Sequence, residues 1–254
     1  SLYSAARLQE AVAVLLAEPT EANLLAARRA WVAARIPYQQ SEAFRFTNSI
    51  VDEWEGKVNA WPLDEGFIDY VVASYGVDSE ENPLYTANIV RNSVIQVSGQ
   101  RLDASRIDKS LLVSLHEAEG VETNVATGYH AIEFLLWGQD VNRSGPGAGA
   151  RPASDYDIES CTQPDCARRA AYLRAATDLL IDDLQWIVAQ WQQGGAARQA
   201  ITSGDLTANI AAIFNGLGSF SYGEMAGERL RLGLMLHDPE EEHDCFSDNT
   251  HWSH

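Results

Sequence analysis

The sequence predicts an all-α protein, and three observations carry that prediction. Apolar residues recur every three or four positions along most of the 254 residues, which is the period of an amphipathic helix. Proline and glycine cluster mainly between these periodic segments. No run of residues competes convincingly as a β-strand. The simplest architecture is a set of antiparallel helices packed into bundles.

Composition and charge narrow the function. At 46% hydrophobic and 21% charged residues, the chain falls in the globular range and can bury a sizeable core. Its 36 acidic and 18 basic residues give a net charge of −18. This argues against nucleic acid and against an anionic membrane surface as partners. The charge is typical of a protein that stays in solution, or of one that attracts cations. No apolar run reaches the roughly 18 residues that predict a transmembrane segment.

The first two helices are predicted from their apolar stripes. Leu8, Val12 and Leu15 follow helical spacing within residues 2–17. Thr20 is a good N-cap for the next helix. Pro37 is expected to bend or end that helix, and "YQQSEAFRF" can continue it to residue 46.

Residues 47–66 read as a loop, because they mix two tryptophans and five acids with Gly56, Pro62 and Gly66. Two roles stay open for this segment, a functional loop or a packed connector. Helices are predicted beyond it at 65–75, 84–97, 108–119 and 123–137, the last with Thr123 as its N-cap.

Residues 138–163 are rich in Gly, Pro, Ser and Asp and predict a domain boundary or a surface excursion. The chain therefore divides into a bundle at 1–140, a linker at 141–163 and a second bundle at 164–254. A long helix is predicted in the second bundle at 164–193, and another at 205–235. The polar end "CFSDNTHWSH" is typical of a fragment, so this second bundle is expected to be incomplete.

The sequence contains three cysteines. Cys161 and Cys166 form a C-x4-C pair with no second pair to complete a zinc site. In an oxidising compartment they can form a disulfide, and in the cytosol they would be free thiols. Both states stay open at this stage, and Cys245 is left over in either.

The stretch "NVATGYHAIEFLLWGQD" carries the strongest candidate site. His130 and Glu133 are three residues apart on a predicted helix and therefore share a face. An imidazole beside a carboxylate suits iron, zinc or copper. Gly128 would give a partner or a ligand room to approach them. The alternative is a His–Glu hydrogen bond at a contact between helices.

Two other H-x-x-E spacings occur in the chain. The pair His116 and Glu119 comes just before Gly120, and the pair His237 and Glu240 is interrupted by Pro239. Only the pair in the 123–137 segment lies inside a long apolar helix, where a charged pair is costly unless it is satisfied.

Enzyme motifs are incomplete. Neither H-E-x-x-H nor the inverted H-x-x-E-H is present. Catalytic zinc usually has three protein ligands, and the pair supplies two. Glu224 and Glu228 share a face of the last predicted helix and either add carboxylates or face solvent.

Four blocks of sequence resemble the imelysin family of iron-regulated proteins, also classed as M75 peptidases. "GYHAIEFLLWGQD" is similar to its G-x-H-x-x-E signature. "SEAFRF", "VNAWPLDEGFIDY" and "EEHDCFSDNTH" look like further family blocks in the family's order. The resemblance implies two α-helical bundles with a site in a cleft near their junction. It implies His130 and Glu133 as metal ligands, and the same cleft would be lined by Arg45, Asn59, Trp61, Asp64 and Asp248.

The resemblance also implies an exported bacterial protein, periplasmic or anchored at the cell surface. It would bind a metal ion, iron first and zinc second, and assist iron uptake, with other envelope iron-uptake proteins as partners. Two alternatives stay open: a non-enzymatic module that binds haem or a protein and uses the His–Glu pair structurally, and a metallopeptidase. Family members continue beyond the "FSDNTH" block, which is a second reason to expect an incomplete second bundle.

Overall fold

The computed structural model describes residues 1–141, 148–161 and 164–231. Helices dominate these residues, so the all-α prediction is confirmed. The helices are α1 (Leu2–Ala17), α2 (Glu21–Gln39), α3 (Ser49–Asn59), α4 (Glu65–Ile68), α5 (Lys109–Leu115), α6 (Gly128–Trp137), α7 (Cys166–Trp191), α8 (Ala196–Thr202) and α9 (Leu206–Gly218). Short 3-10 turns occur at Glu42–Phe44, Ala73–Tyr75, Ala118–Gly120 and Ala153–Tyr156.

The long helix α7 is the centre of the packing. It contacts α1, α3, α5, α6 and α8, and α2 packs against α1 and α6. The apolar core runs without a break from residues of α1 to residues of α8. All ten residues of α6 are buried, which explains its nearly continuous apolar sequence. The division into bundles at 1–140 and 164–254 stays a prediction, but α7 shares its core with helices that precede the linker.

The first two helices follow the predicted pattern. Thr20 caps α2, its hydroxyl accepting a hydrogen bond from the Asn23 amide at 3.2 Å. Pro37 lies inside α2, which continues for two further residues. Thr20 therefore acts as predicted, whereas Pro37 does not end the helix.

The predicted loop at 47–66 is wrong over most of its length, because residues 49–59 form α3. Trp54 and Val58 follow Val51 by three and seven positions, so the three side chains share one face of this helix, and all three are buried. The Trp54 indole also donates to the Asp183 carbonyl of α7 at 2.9 Å. The acidic residues and Gly56 led to a loop prediction from composition, although the apolar residues of this segment follow helical spacing.

Two of the short predicted helices are also wrong. In 65–75 only the four residues of α4 are α-helical. In place of a helix at 84–97, the structure has turns followed by the strand β1 (Val94–Val97). This strand pairs antiparallel with β2 (Gln100–Asp103). Ser98 and Gly99 join the two strands with φ of 50° and 73°, as a tight hairpin turn requires.

The helix predicted at 123–137 begins at Gly128, not at Thr123. Thr127 is the residue that precedes it in extended conformation. The Thr123 hydroxyl instead donates to Asp64 at 2.6 Å. The residues between Thr123 and α6 form a connecting segment that matters for the site below.

The described part of the predicted linker is packed against the rest of the molecule. Arg151 and Asp155 are buried, and Cys161 and Cys166 are joined by a disulfide bond. The last predicted helix is interrupted: α9 ends at Gly218, and a π-helical stretch, Ser219–Arg231, follows. Within the described ranges, none of the helices has an apolar run long enough to cross a bilayer.

Candidate functional site

His130 and Glu133 form a buried pair on α6. The His130 Nδ1 atom lies 2.8 Å from a Glu133 carboxylate oxygen, a hydrogen-bond distance. The two residues are only 1% and 3% exposed. Burying a carboxylate costs free energy unless it is hydrogen-bonded or paired, and the imidazole meets that need here. The structure thus brings the two predicted metal ligands together in a dry setting.

Aromatic rings enclose the imidazole. The Trp61 ring centroid lies 4.8 Å from that of His130, and the Trp31 ring centroid lies 6.5 Å from it. Trp31 is held in turn by a 2.9 Å hydrogen bond from its indole to the Tyr129 carbonyl. Trp61, predicted from the family block, therefore covers His130 directly.

Gly128 lets a neighbouring helix approach α6, which is one of the two roles left open by the sequence. A Cβ atom at this position would lie 2.6 Å from the Val58 carbonyl oxygen, well inside contact distance. Its φ of +83° is also one that side chains other than glycine rarely adopt. The room that Gly128 provides is taken by the backbone of α3, so of the two alternatives, a partner or a ligand, a neighbouring helix occupies the space at this atom.

Asn59 and Arg45 lie on one chain of polar contacts. Arg45 forms a 3.1 Å ion pair with a Glu55 oxygen, and the same oxygen accepts from the Asn59 amide at 3.1 Å. The side-chain oxygen Oδ1 of Asn59 then accepts a hydrogen bond from Arg35. Arg45 also pairs with Glu224 at 2.8 Å, so one of the two carboxylates singled out on the last predicted helix forms an ion pair. Two of the predicted residues are thus joined through Glu55.

Arg35 was missed by the sequence interpretation, although it is fully buried beside the site. Its guanidinium lies 5.1 to 5.5 Å from the ring centroids of Tyr129, Tyr38 and Trp31. Such contacts stabilise a desolvated cation. Its position four residues after Trp31, on the same face of a helix, is a pattern that a sequence reading can detect.

Asp64 lies apart from this chain. Its carboxylate accepts from the Thr123 hydroxyl at 2.6 Å and from the Asn82 amide at 2.5 Å. Asn82 also bonds Asn124 at 2.8 Å. Asp64 thereby fixes the segment that leads into α6. Asp248, the remaining predicted residue, lies outside the described residues, as do His237 and Glu240.

A cavity of about 290 Å³ opens beside Arg45. Its wall is mostly apolar and aromatic, with a charged end. His130 and Glu133 are not part of its lining, which includes Tyr38, Glu42, Arg45, Trp54, Glu55 and Trp191.

The second H-x-x-E spacing does not form a pair. The His116 ring bonds the Gly56 carbonyl and the Ala126 amide. The Glu119 carboxylate accepts from the Ser98 amide of the hairpin turn. Burial lowers the pKa of His116 from its ordinary value, so its ring is neutral near pH 7. The position of the third spacing is not described.

A buried charge network lies around the linker and was also missed. Asp69 accepts from Arg169 at 2.6 Å and from Arg151 at 2.8 Å, and Arg151 reaches Asp155 at 3.0 Å. The Tyr70 hydroxyl donates to Asp155, and burial raises the pKa of Tyr70 to about 12. Arg169 precedes Leu173 by one turn on the apolar face of α7, and that misplaced charge is the signal that sequence reading can use.

The described residues supply only part of a metal coordination sphere. No group of three or more His, Cys, Asp or Glu side chains in them is arranged to hold a metal ion. The buried pair offers one nitrogen donor and one carboxylate. That donor chemistry suits iron or zinc, and the count is below the four ligands of a closed zinc site.

Fold and site together define a helical-bundle protein with a buried His–Glu pair, enclosed by tryptophan and approached closely by a neighbouring helix. The family model for imelysin, peptidase M75, matches residues 1–254. The chain therefore belongs to the imelysin family.

A curated relative carries the name Iron-regulated protein A, from Synechococcus elongatus. It is 24% identical over 256 residues, which cover 97% of this chain and 53% of the relative. The chain thus spans about half the length of the curated relative it matches.

Proposed function

We propose that this protein serves bacterial iron acquisition and that His130 and Glu133 hold the metal ion, which is iron in the native setting. The observation that carries the proposal is the buried 2.8 Å contact between the imidazole and the carboxylate. Membership of the imelysin family supports it. So does a relative that is named for regulation by iron.

The buried pair supplies the types of donor atom, an imidazole nitrogen and a carboxylate oxygen, that bind iron or zinc. Without a metal, the His–Glu hydrogen bond keeps both metal donors together and engages one oxygen of the buried carboxylate. When bound, the metal would supply positive charge to the same carboxylate. Metal ligands must be deprotonated, so the affinity of the site for a metal falls in acid.

The neighbouring polar residues position this pair. Trp61 excludes water from His130, and Asn59 anchors the end of α3 through its bond with Arg35. Asp64 does not contact the pair directly in this proposal; it holds the segment before α6 through its bond with Thr123. Arg45 extends the polar chain toward the cavity. We retain Asp248 as a candidate on family resemblance alone.

We place the protein in the bacterial envelope, periplasmic or attached at the surface, with other iron-uptake proteins as its partners. The bond between Cys161 and Cys166 supports an oxidising compartment. The net charge of −18 suits contact with cations rather than with nucleic acid.

Metal analysis tests the proposal. The purified protein is stripped of metal, titrated with Fe²⁺ under anaerobic conditions and then with Zn²⁺, and followed by calorimetry. We expect binding by the unaltered chain and its loss in the His130→Ala, Glu133→Ala double variant. The matched control replaces the exposed i, i+3 pair Arg7 and Glu10 by alanine and should bind normally.

A conservative variant separates a metal site from a structural hydrogen bond. Glu133→Gln can still bond the His130 ring, but it loses the negative charge that attracts a cation. Metal affinity should fall while the melting temperature changes little. Unchanged affinity with a large loss of stability would support the purely structural role instead. Chelator-sensitive peptide cleavage, lost in the same variant, would favour the metallopeptidase.

A further inference from the structure

His116 lies at the end of α5, where three segments of the chain meet. Its Nε2 atom is 2.9 Å from the Gly56 carbonyl oxygen of α3. The Ala126 amide donates to its Nδ1 atom at 3.3 Å, and the Thr127 hydroxyl lies 3.2 Å from the same nitrogen. One side chain therefore links α5, α3 and the entry to α6.

These partners define the protonation state of the ring. A carbonyl oxygen only accepts, so Nε2 carries the hydrogen, and Nδ1 must be unprotonated to accept from the Ala126 amide. The Thr127 hydroxyl donates its hydrogen to the Lys57 carbonyl at 2.9 Å. A proton added at Nδ1 would deprive the Ala126 N–H of this acceptor and would make the nitrogen a donor that faces the Thr127 oxygen.

The two elements joined by His116 are those that build the site. Gly56 lies one turn before Asn59, and Thr127 is followed directly by Gly128. At Gly128 the backbones of α3 and α6 come into direct contact. The His130 ring lies two residues further on, against Trp61.

We propose that His116 is a positioning residue for the His130–Glu133 site. In its neutral form it holds the end of α3 against the entry to α6. In its protonated form it releases the Ala126 amide and loosens that contact. Acid would therefore weaken the support of the His130–Glu133 site through a residue that is not part of the site. The metal-affinity part of this inference rests on the proposed function, and the structural part does not.

The surroundings of the ring favour the neutral form. Burial has the largest influence and lowers the pKa of His116. The hydrogen bond to the Gly56 carbonyl and the carboxylate of Glu117, with an oxygen 3.9 Å from Nε2, both raise this pKa, and Lys57 lowers it. Because the folded-state pKa is below the unfolded value of about 6.5, the neutral ring stabilises the fold fully above that pH. The stabilisation is lost as the pH falls toward the folded-state pKa.

The test uses metal-free protein, so it does not depend on metal binding. Nitrogen NMR of the imidazole reports the tautomer and the titration of His116, and amide hydrogen exchange reports the protection of residues 126–128. We expect hydrogen on Nε2 at about pH 7 and a loss of amide protection as the pH is lowered below about 6.5 and the ring is protonated. His116→Gln cannot titrate and should give protection that is independent of pH over this range.

Two results would overturn the inference. One is hydrogen on Nδ1 in the neutral ring. The other is protection of residues 126–128 that stays constant while His116 titrates. Both are measured in the unaltered chain, so a folding defect of the variant cannot obscure them.

A second arm follows zinc affinity against pH in the unaltered chain and in His116→Gln. The metal ligands titrate in both proteins. We therefore expect zinc affinity to fall more steeply with decreasing pH in the unaltered chain, and we attribute this difference to His116. Equal slopes would contradict the link to the site. If neither protein binds zinc or iron, the proposed function fails, and the exchange data still decide the role of His116.

Discussion

At the scale of single residues, Gly128 controls how closely α3 and α6 approach. Alanine there would meet the Val58 carbonyl and would require an unfavourable φ, so Gly128→Ala should lower the free energy of unfolding by about 2–4 kcal/mol. The matched control is Gly204→Ala, whose φ of +87° is similar but whose Cβ would meet nothing within 4 Å. It should lose only about 1–2 kcal/mol. Equal losses in urea unfolding would contradict a role for the helix contact.

Asp69 supports a second prediction at this scale. It is buried between two arginines, and removing one member of such a network leaves the others without compensation. Asp69→Asn should therefore cost about 3–5 kcal/mol in chemical unfolding. Arg7→Ala, which breaks an ion pair on the surface, should change stability by less than about 1 kcal/mol. A loss as small as that of the surface variant would show that the network contributes little.

The candidate site was only partly predictable residue by residue. His130 and Glu133 were found because a polar pair at i, i+3 stands out in an apolar helix. Arg35 and Glu55 were not found. The spacing of Arg35 from Trp31 is visible in the sequence, but the bonds that Arg35 and Glu55 make to Asn59 depend on how α2 and α3 lie against each other in space. Asp64 was grouped with the site through its sequence block, whereas its contacts belong to the segment before α6.

At the scale of elements, periodicity predicted α1, α2 and α7 because each is long and buries one face. Periodicity was not followed for α3. The acidic and glycine-containing composition of this segment predicted a loop, although three of its side chains have helical spacing and are buried. Periodicity failed for the β1–β2 hairpin because each strand has only four residues, too few to show an alternating pattern. Short elements take their structure from tertiary contacts, which a single sequence does not display.

The disulfide at the start of α7 supports an element-scale prediction. Of three cysteines, two are bonded to each other, so the unfolded, unreduced protein should contain one reactive thiol and the reduced protein three. Replacing Cys161 and Cys166 together by alanine should lower stability by about 2 kcal/mol, since the closed loop is short. Thiol titration and urea unfolding measure these outcomes. Three reactive thiols before reduction would contradict the bond and weaken the case for an oxidising compartment.

At the scale of the whole molecule, stability against pH sums groups of opposite sign, and Asp183 opposes His116. Burial raises the pKa of Asp183 to about 6. The folded protein then keeps a proton that the unfolded chain has lost, so this group's contribution to stability declines as the pH rises from about 4 to about 6. The contribution of His116 increases as the pH rises toward about 6.5.

Single variants should separate the two groups. Asp183→Asn should remove the contribution that declines with pH, so the free energy of unfolding of this variant should increase from about pH 4 to about pH 6.5. His116→Gln should leave only the decline. Glu10→Gln, at an exposed position of α1, serves as the control and should keep the shape of the unaltered curve. Urea unfolding at intervals from about pH 4 to about pH 7 measures all four curves. Because the pKa of His116 is lowered and that of Asp183 is raised, identical slopes for the two variants would contradict both assignments at once.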